Sequence, residues 1–442
     1  METITAEAQK LRKQWKDLDA MIQEWWDADL QRAQENELRD PSRNVVWYTD
    51  DEHRKMETKD AGEDSGTLLF LPYPYVTGGG SERSFPEMYC WDTFFVNQGL
   101  LLHGRPEIVR NHIFNQLFLI ERFGMVLNGN RTYYLTRSQT PLLAESIRRY
   151  HQVVADRDLL ALAYPLLKRE YQKYWTAPHH QTPTGLATNA DLGDPWLRPE
   201  LAAEAECLDF TAVFDGDIRK CNPIQTNAAL VRYARSLEWM ALELNWPDEA
   251  HVWGLMAEDR AEKMRTLNWD EEQGFFLEYQ FEEARRLPYR SLSAYWTMWA
   301  GVATKLQASY LVKNLKQFEH EHGLAHTDKA YPSPHPEFSW VQWGYPCGWP
   351  PDHIIVVEAL DAYGFHEEAG RIALLYLNLM IAEYGRSGKF WEKYNVVEGN
   401  VNLPRERTPV VPLHGWTTAA FAWLGRRVFE PDSLVMSSGN EV

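Results

Sequence analysis

Residues 91–124 read WDTFFVNQGLLLHGRPEIVRNHIFNQLFLIERFG. Apolar residues fall at helical spacing on both sides of the His103-Gly104 break, so the stretch predicts two helices in succession. Pro106 sits where a first helical turn tolerates proline, and Gly124 sits where a helix stops. The same pattern recurs in nine further segments of about 12 to 20 residues, among them 142–158, 226–245 and 366–385, and strand-like alternation is scarce.

Long loops rich in Gly, Pro and Trp separate alternate pairs of these segments, at 71–90, 124–141, 178–222, 326–350 and 388–415. Loops of that length in a helical domain are usually functional. Roughly twelve helices in hairpin pairs predict an all-α toroid with its loops gathered at one end. A helical-repeat solenoid would need a shared residue pattern at a fixed period, and none is present. The expected organisation is an N-terminal helical arm over 1–65 without chemistry, a barrel over 66–430 and a tail over 431–442.

The charge of −18 repels nucleic acid and anionic lipid, and no Lys/Arg block offsets it. No stretch has the roughly 18 apolar residues of a membrane span, and the charged N-terminus lacks an apolar signal core, so a cytoplasmic protein is expected. Cys90, Cys207, Cys221 and Cys347 lie far apart without metal-ligand spacing and read as reduced thiols. The 19 Trp and 21 Tyr, many beside Gly, Pro or acidic residues, suit a partner that is a small sugar, whose C–H faces stack on aromatic rings.

Hydrolysis of a glycosidic bond with inversion needs one protonated and one ionised carboxyl on opposite sides of the bond. The irregular stretch 191–217, DLGDPWLRPELAAEAECLDFTAVFDGD, is a candidate for the acid, and 388–398, GKFWEKYNVVE, for the base. Taken singly, any carboxylate there is more readily read as a surface group.

The loops together resemble the trehalases, the α,α-trehalose glucohydrolases of glycoside hydrolase family 37. GGGSERSFPEMYCWDTFF keeps Phe85, Glu87, Tyr89, Trp91 and Asp92 of a family signature, with Ser84 where the family has arginine. NGNRTYYLTRSQTPLL is similar to the family's NGxRxYYxxRSQPP, WLRPELAAEAECLDF to its RPE and AESGWDF elements, QWGYPCGWPP to its QWDxPxGWxP, and FWEKYNV to its EKYDV. The resemblance covers roughly residues 68–425 with all clusters in order, and implies an (α/α)6 barrel.

It also implies roles. Asp209 becomes the general acid, its neighbours Leu208 and Phe210 favouring protonation, and Glu392 the general base. Phe85, Trp91, Asp92, Asn128, Arg137, Gln139, Arg198, Glu200, Gln342, Trp343, Trp349, Glu406 and Trp416 become sugar contacts. Gly344 stands at the aspartate of the second signature, and the absent carboxylate would favour an anionic aglycone. The family's glycine-rich lid run is missing after Glu392. The expected activity is release of glucose from a small α-glucoside, first of all trehalose, with glucosylglycerol, glucosylglycerate or a related disaccharide as alternatives. A non-catalytic sugar sensor would not need the acid and base pair. No metal or organic cofactor is implied, and a monomer or weak homo-oligomer is expected.

Overall fold

The computed structural model of the chain describes residues 6–39, 68–79, 85–194, 197–404 and 409–431, with side chains as far as Leu30 in the first stretch. Thirteen α-helices lie among these residues: α1 (Ala6–Arg39), α2 (Asp92–Leu102), α3 (Pro106–Phe123), α4 (Leu143–Val154), α5 (Arg157–Glu170), α6 (Pro199–Glu204), α7 (Ile224–Glu243), α8 (Pro247–Leu267), α9 (Trp296–Trp299), α10 (Lys305–Asn314), α11 (Pro350–Ala362), α12 (His366–Ser387) and α13 (Gly415–Phe429). Local signals set several boundaries. Pro106 opens α3 and Gly124 closes it at a φ of 84°, while Thr304 and Gln307 form a reciprocal cap at the start of α10.

Helices α2, α4, α7, α9, α11 and α13 touch one another in that order, and α13 closes back on α2. This closed ring, with return helices outside it, is an (α/α)6 barrel. Burial follows position. On α2, α7 and α11 most residues are inside, whereas on α10 only Gln307, Ala308 and Leu311 are buried. A helix covered on all sides must be apolar or internally satisfied all round, and an outer helix needs one apolar stripe.

Close approach fixes the seam where the ring closes. A Cβ on Gly99 of α2 would lie 2.8 Å from the Ala419 Cα on α13, so only glycine permits that contact. On the outer face of α13, a Cβ on Gly425 would lie 1.8 Å from Trp15 Nε1. Helix α1 therefore docks directly on α13, and Trp15, Ile22 and Trp26 are buried in the same core as the ring. Trp26 Nε1 donates to His103 Nδ1 at 2.8 Å, which leaves the His103 Nε2–H to donate to Asp19 Oδ1 at 2.9 Å.

Connections at one end are short, as at 103–105, 155–156 and 244–246, and those at the other end are long. A sixth long connection, 268–291, joins α8 to α9 and holds four two-residue strands, Trp269–Asp270, Phe275–Phe276, Tyr279–Gln280 and Arg285–Arg286. Cys90, Cys207, Cys221 and Cys347 are all buried. Among the described residues no helix is long and apolar enough to cross a membrane.

Candidate active site

The long connections surround a cavity of about 410 Å³. Five of them line it: Phe85, Glu87, Tyr89 and Trp91 from the approach to α2, with Asp92 at its start; Asn128, Arg131, Tyr133, Tyr134, Arg137 and Gln139 between α3 and α4; Ala205, Asp209 and Phe210 after α6; Gln342 and Trp349 before α11; and Glu392 and Leu413 between α12 and α13, with Trp416 in the first turn of α13. That volume lies in the range of small-molecule sites, about 300–1,000 Å³.

Indoles build one side. Trp349 stacks on Trp343 with ring centres 3.9 Å apart and planes 9° apart, and Trp91 and Trp416 meet this stack at 5.6 and 5.8 Å. Trp343 lies in the second layer, where its Nε1 donates to Asp209 Oδ1 at 3.3 Å. Flat rings at the surface can stack on pyranose C–H faces, while the layer behind fixes their tilt.

Backbone pairing aims the two catalytic candidates. Trp343 N donates to Phe210 O at 3.0 Å and Thr211 Oγ1 donates to Trp343 O at 2.8 Å, so the Asp209 segment lies parallel to the segment before α11. Glu204 braces the same segment by accepting from Thr211 N at 2.7 Å and from the His335 Nε2–H at 3.0 Å. Glu392 lies on an antiparallel pair, its N donating to Val411 O and Leu413 N donating to Phe390 O, both at 3.0 Å. Lys393, 1% exposed, places Nζ 2.9 Å from Glu392 Oε2 and bonds Gln342 Oε1 as well. The other end of that amide, Gln342 Nε2, donates to the Asp209 carbonyl, so one side chain ties both segments together.

Asp92, the first residue of α2, lies close enough to sense both carboxyls. Burial above all, then the charges of Asp209 and Glu392, hold its pKa well above the usual aspartate range.

The opposite wall carries polar groups suited to hydroxyls. Arg137 pairs with Asp191 at 2.9 Å and with Asp194, and its guanidinium lies 4.9 Å from the Tyr134 ring centre. Among the described residues the buried Arg137 Nε and Gln139 Oε1 have no hydrogen-bond partner. Behind this wall Ser138 N donates to the Tyr174 hydroxyl at 2.9 Å, which donates to Glu206. Glu206 also accepts from Asn189 and Ala190, and burial pushes its pKa up to about 7.

A family model described as Trehalase matches residues 2–205 and 202–421. The chain belongs to the trehalase family. Among curated proteins, the cytosolic neutral trehalase of Saccharomyces cerevisiae is 29% identical over 399 residues, covering 76% of this chain and 53% of that protein. The probable trehalase of Eremothecium gossypii is 29% identical over 398 residues, covering 76% and 54%. This trehalase-family chain thus spans about half the length of the curated relatives it matches. The solved neutral trehalase of Saccharomyces cerevisiae has a TM-score of 0.72 and 27% identity, covering 84% of this chain and 79% of that one. A mannosylglycerate hydrolase from Thermus thermophilus, solved with glucose, shares the fold at a TM-score of 0.59 and 18% identity, covering 79% and 95%.

Of the residues that the trehalase signatures single out, Phe85, Trp91, Asp92, Asn128, Arg137, Gln139, Asp209, Gln342, Trp349, Glu392 and Trp416 come together on the cavity. Trp343 stands behind it. Arg198 and Glu200 do not reach it: Arg198 bonds Glu337, Glu200 and His335, and Glu200 also holds Arg219, in a partly exposed ion-pair network. Gly344 is also elsewhere, lining a small recess with Thr327, Tyr331 and Trp340, so its missing carboxylate does not alter the charge of the cavity wall. Glu406 and Ser84 lie outside the described residues. Leu208 points into the main core and Phe210 into a small second core with Leu201 and Val341, while the Asp209 side chain stays exposed to the cavity.

Sequence reasoning gave no role to Arg131, Tyr133 and Tyr134, although all three stand inside the quoted signatures, marked Lys393 only as a neighbouring donor to Glu392, and kept Glu87 and Tyr89 only as matches. A charged residue inside a matched block was the signal available. Arg131 in fact pairs with Glu87 at the cavity wall.

Proposed function

We propose that the chain is an inverting α-glucoside hydrolase that releases glucose from a small neutral α-glucoside, with trehalose as its substrate. Asp209 donates a proton to the departing glycosidic oxygen while Glu392 takes one from a water attacking the opposite face of the ring. Lys393 at Glu392 Oε2 fixes the carboxylate rotamer, and Gln342 keeps the acid and base segments in register. The indole stack takes the ring faces, and Arg137, Gln139 and Asn128 take hydroxyls. The observation that carries this reading is the joint exposure of Asp209 and Glu392, from two separate connections, to one sugar-sized cavity.

Charge on the wall favours a neutral aglycone. Glu87, Asp92, Asp209 and Glu392 face Arg131 and Arg137, and each guanidinium is already paired with carboxylates. A glycerate group would meet guanidinium groups already paired with carboxylates, and a buried charge without a partner of its own is costly.

The test is glucose release from trehalose, glucosylglycerol, glucosylglycerate, kojibiose and sucrose. Asp209→Asn and Glu392→Gln each lower turnover by about 10²- to 10⁴-fold, the usual contribution of one acid or base. Proton NMR of the first-formed sugar from trehalose shows α- and β-glucose in equal amounts, because the attacked ring inverts to β while the departing glucose keeps its α configuration. Formation of α-glucose alone, or full turnover in either variant, refutes the mechanism.

A further inference from the structure

Helix α1 does more than cover the ring. Its residues Trp25 and Asp29 meet His414 at the start of α13, where the chain leaves the antiparallel pair that carries Glu392. The Trp25 and His414 rings lie face to face, 4.3 Å apart and 2° from parallel. His414 Nδ1 stands 3.1 Å from Asp29 Oδ2, and both side chains are buried. Trp25 also meets Phe390 edge-on at 6.1 Å, two residues before Glu392. On either side of His414, Leu413 and Trp416 line the cavity, and Trp416 Nε1 donates to the Glu392 carbonyl at 3.3 Å. The next residue, Gly415, is held from the other direction, since a Cβ there would lie 2.6 Å from Gly78 O. The segment therefore has no slack.

We propose that Trp25 and Asp29 of α1 are positioning residues for the catalytic base: they clamp His414, and through it the strand pair 390–392 and 411–413 that sets the Glu392 carboxylate. This rests on the assignment of Glu392 as base. Asp29 accepts a proton bond that fixes the His414 tautomer, and the indole fixes the imidazole plane, so the backbone on both sides has one allowed setting. A displaced base is a slow base, because misplacement of about 1 Å in a catalytic constellation costs on the order of 10²-fold.

The same helix supplies its own control. Asp19 of α1 forms an equally buried pair with His103, at the far end of α2 and near Arg426 in the last turns of α13, away from the base segment. Turnover is measured per folded site, counted by calorimetric titration with 1-deoxynojirimycin. Asp29→Ala lowers turnover per site by about tenfold or more with KM within about twofold, and Asp29→Asn, whose amide oxygen still accepts from His414, stays within about twofold of the parent. Asp19→Ala costs melting temperature but keeps turnover per site. On α-glucosyl fluoride, whose leaving group needs no acid, Asp29→Ala shows the same proportional loss, whereas Asp209→Asn recovers. Wild-type turnover per site in Asp29→Ala, an equal loss in Asp19→Ala, or a loss absent on the fluoride overturns the proposal. Full turnover in Glu392→Gln overturns the base assignment itself, and is a separate outcome from an unaffected Asp29→Ala beside an inactive Glu392→Gln.

Discussion

Lys393→Met removes an ammonium while keeping the length of its stem, which lies with Nζ 4.6 Å from the Trp349 ring centre. The lost group makes two bonds, to Glu392 Oε2 at 2.9 Å and to Gln342 Oε1. Breaking a fully buried pair by deleting one partner costs about 3–5 kcal/mol. The Glu392 side chain keeps 11% exposure to the cavity, which places this pair at or just below the lower end, about 2–3 kcal/mol. At about 2 °C per kcal/mol for a large domain, the melting temperature falls by about 4–6 °C. Activity falls as well, because the Gln342 bridge between the acid and base segments loses one end. The deciding assay is a thermal or urea double-mutant cycle. Lys393→Met made in the Glu392→Gln background costs much less than in the parent, with a coupling energy of about 1–2 kcal/mol. Equal costs in the two backgrounds would show that the ammonium serves something other than Glu392, and a more stable single variant would refute the reasoning altogether.

Glu278 is buried with its pKa pushed up from 4.5 to about 8, and Glu170 and Glu206 are pushed up to about 7 by the same desolvation. Their native forms hold protons that the unfolded chain has released, so stability is greatest below about pH 4.5 and is lost as the pH rises through the folded values; Glu278→Gln melts higher than the parent at pH 8, by a margin that shrinks toward pH 5 in calorimetric scans. Gly425→Ala gains about 1 kcal/mol of helix propensity on paper, but its Cβ would fall 1.8 Å from Trp15 Nε1, so denaturant unfolding shows a net loss of about 1–3 kcal/mol. Arg137→Ala raises KM at least about tenfold by removing a cavity wall, whereas Arg198→Ala, which only loosens an exposed ion-pair network, leaves KM within about twofold.

Much of the barrel could be read from one-dimensional signals. Pro106 and Gly124 bound α3 because a missing N–H and a left-handed residue are local requirements that no distant contact changes. The ring order was not local. The N-terminal arm was expected to pack on the barrel, but not where, because the feature that seats α1 is a glycine, Gly425, on a helix at the other end of the chain. The meander at 268–291 stayed hidden for another reason: its strands are two residues long, too short for any period to register.

At the candidate site, residues of a motif that lies within one connection come together on the cavity, as Asn128, Arg137 and Gln139 do. They were least informative about direction. Arg198 and Glu200 sit in a carboxylate-rich stretch near Asp209, yet α6 turns them outward onto Glu337 and Arg219. Gly344 adjoins Trp343, but it stands at a bend that turns it to the recess at Thr327. Tyr174 offered no signal, because a buried hydrogen-bond chain between the end of one helix and two distant loops leaves no pattern in any of them.

The contact of α13 with α2 closes the circle between the first and last members of the ring, and α1 seats on α13 too. During synthesis, the hairpins that emerge earlier have an apolar flank facing a gap that only the final helix fills. Such long-range closure slows folding and exposes sticky intermediates. A ribosome-bound chain stopped before residue 415 should therefore remain protease-sensitive along α2 and depend on chaperones, however many of its hairpins have already formed.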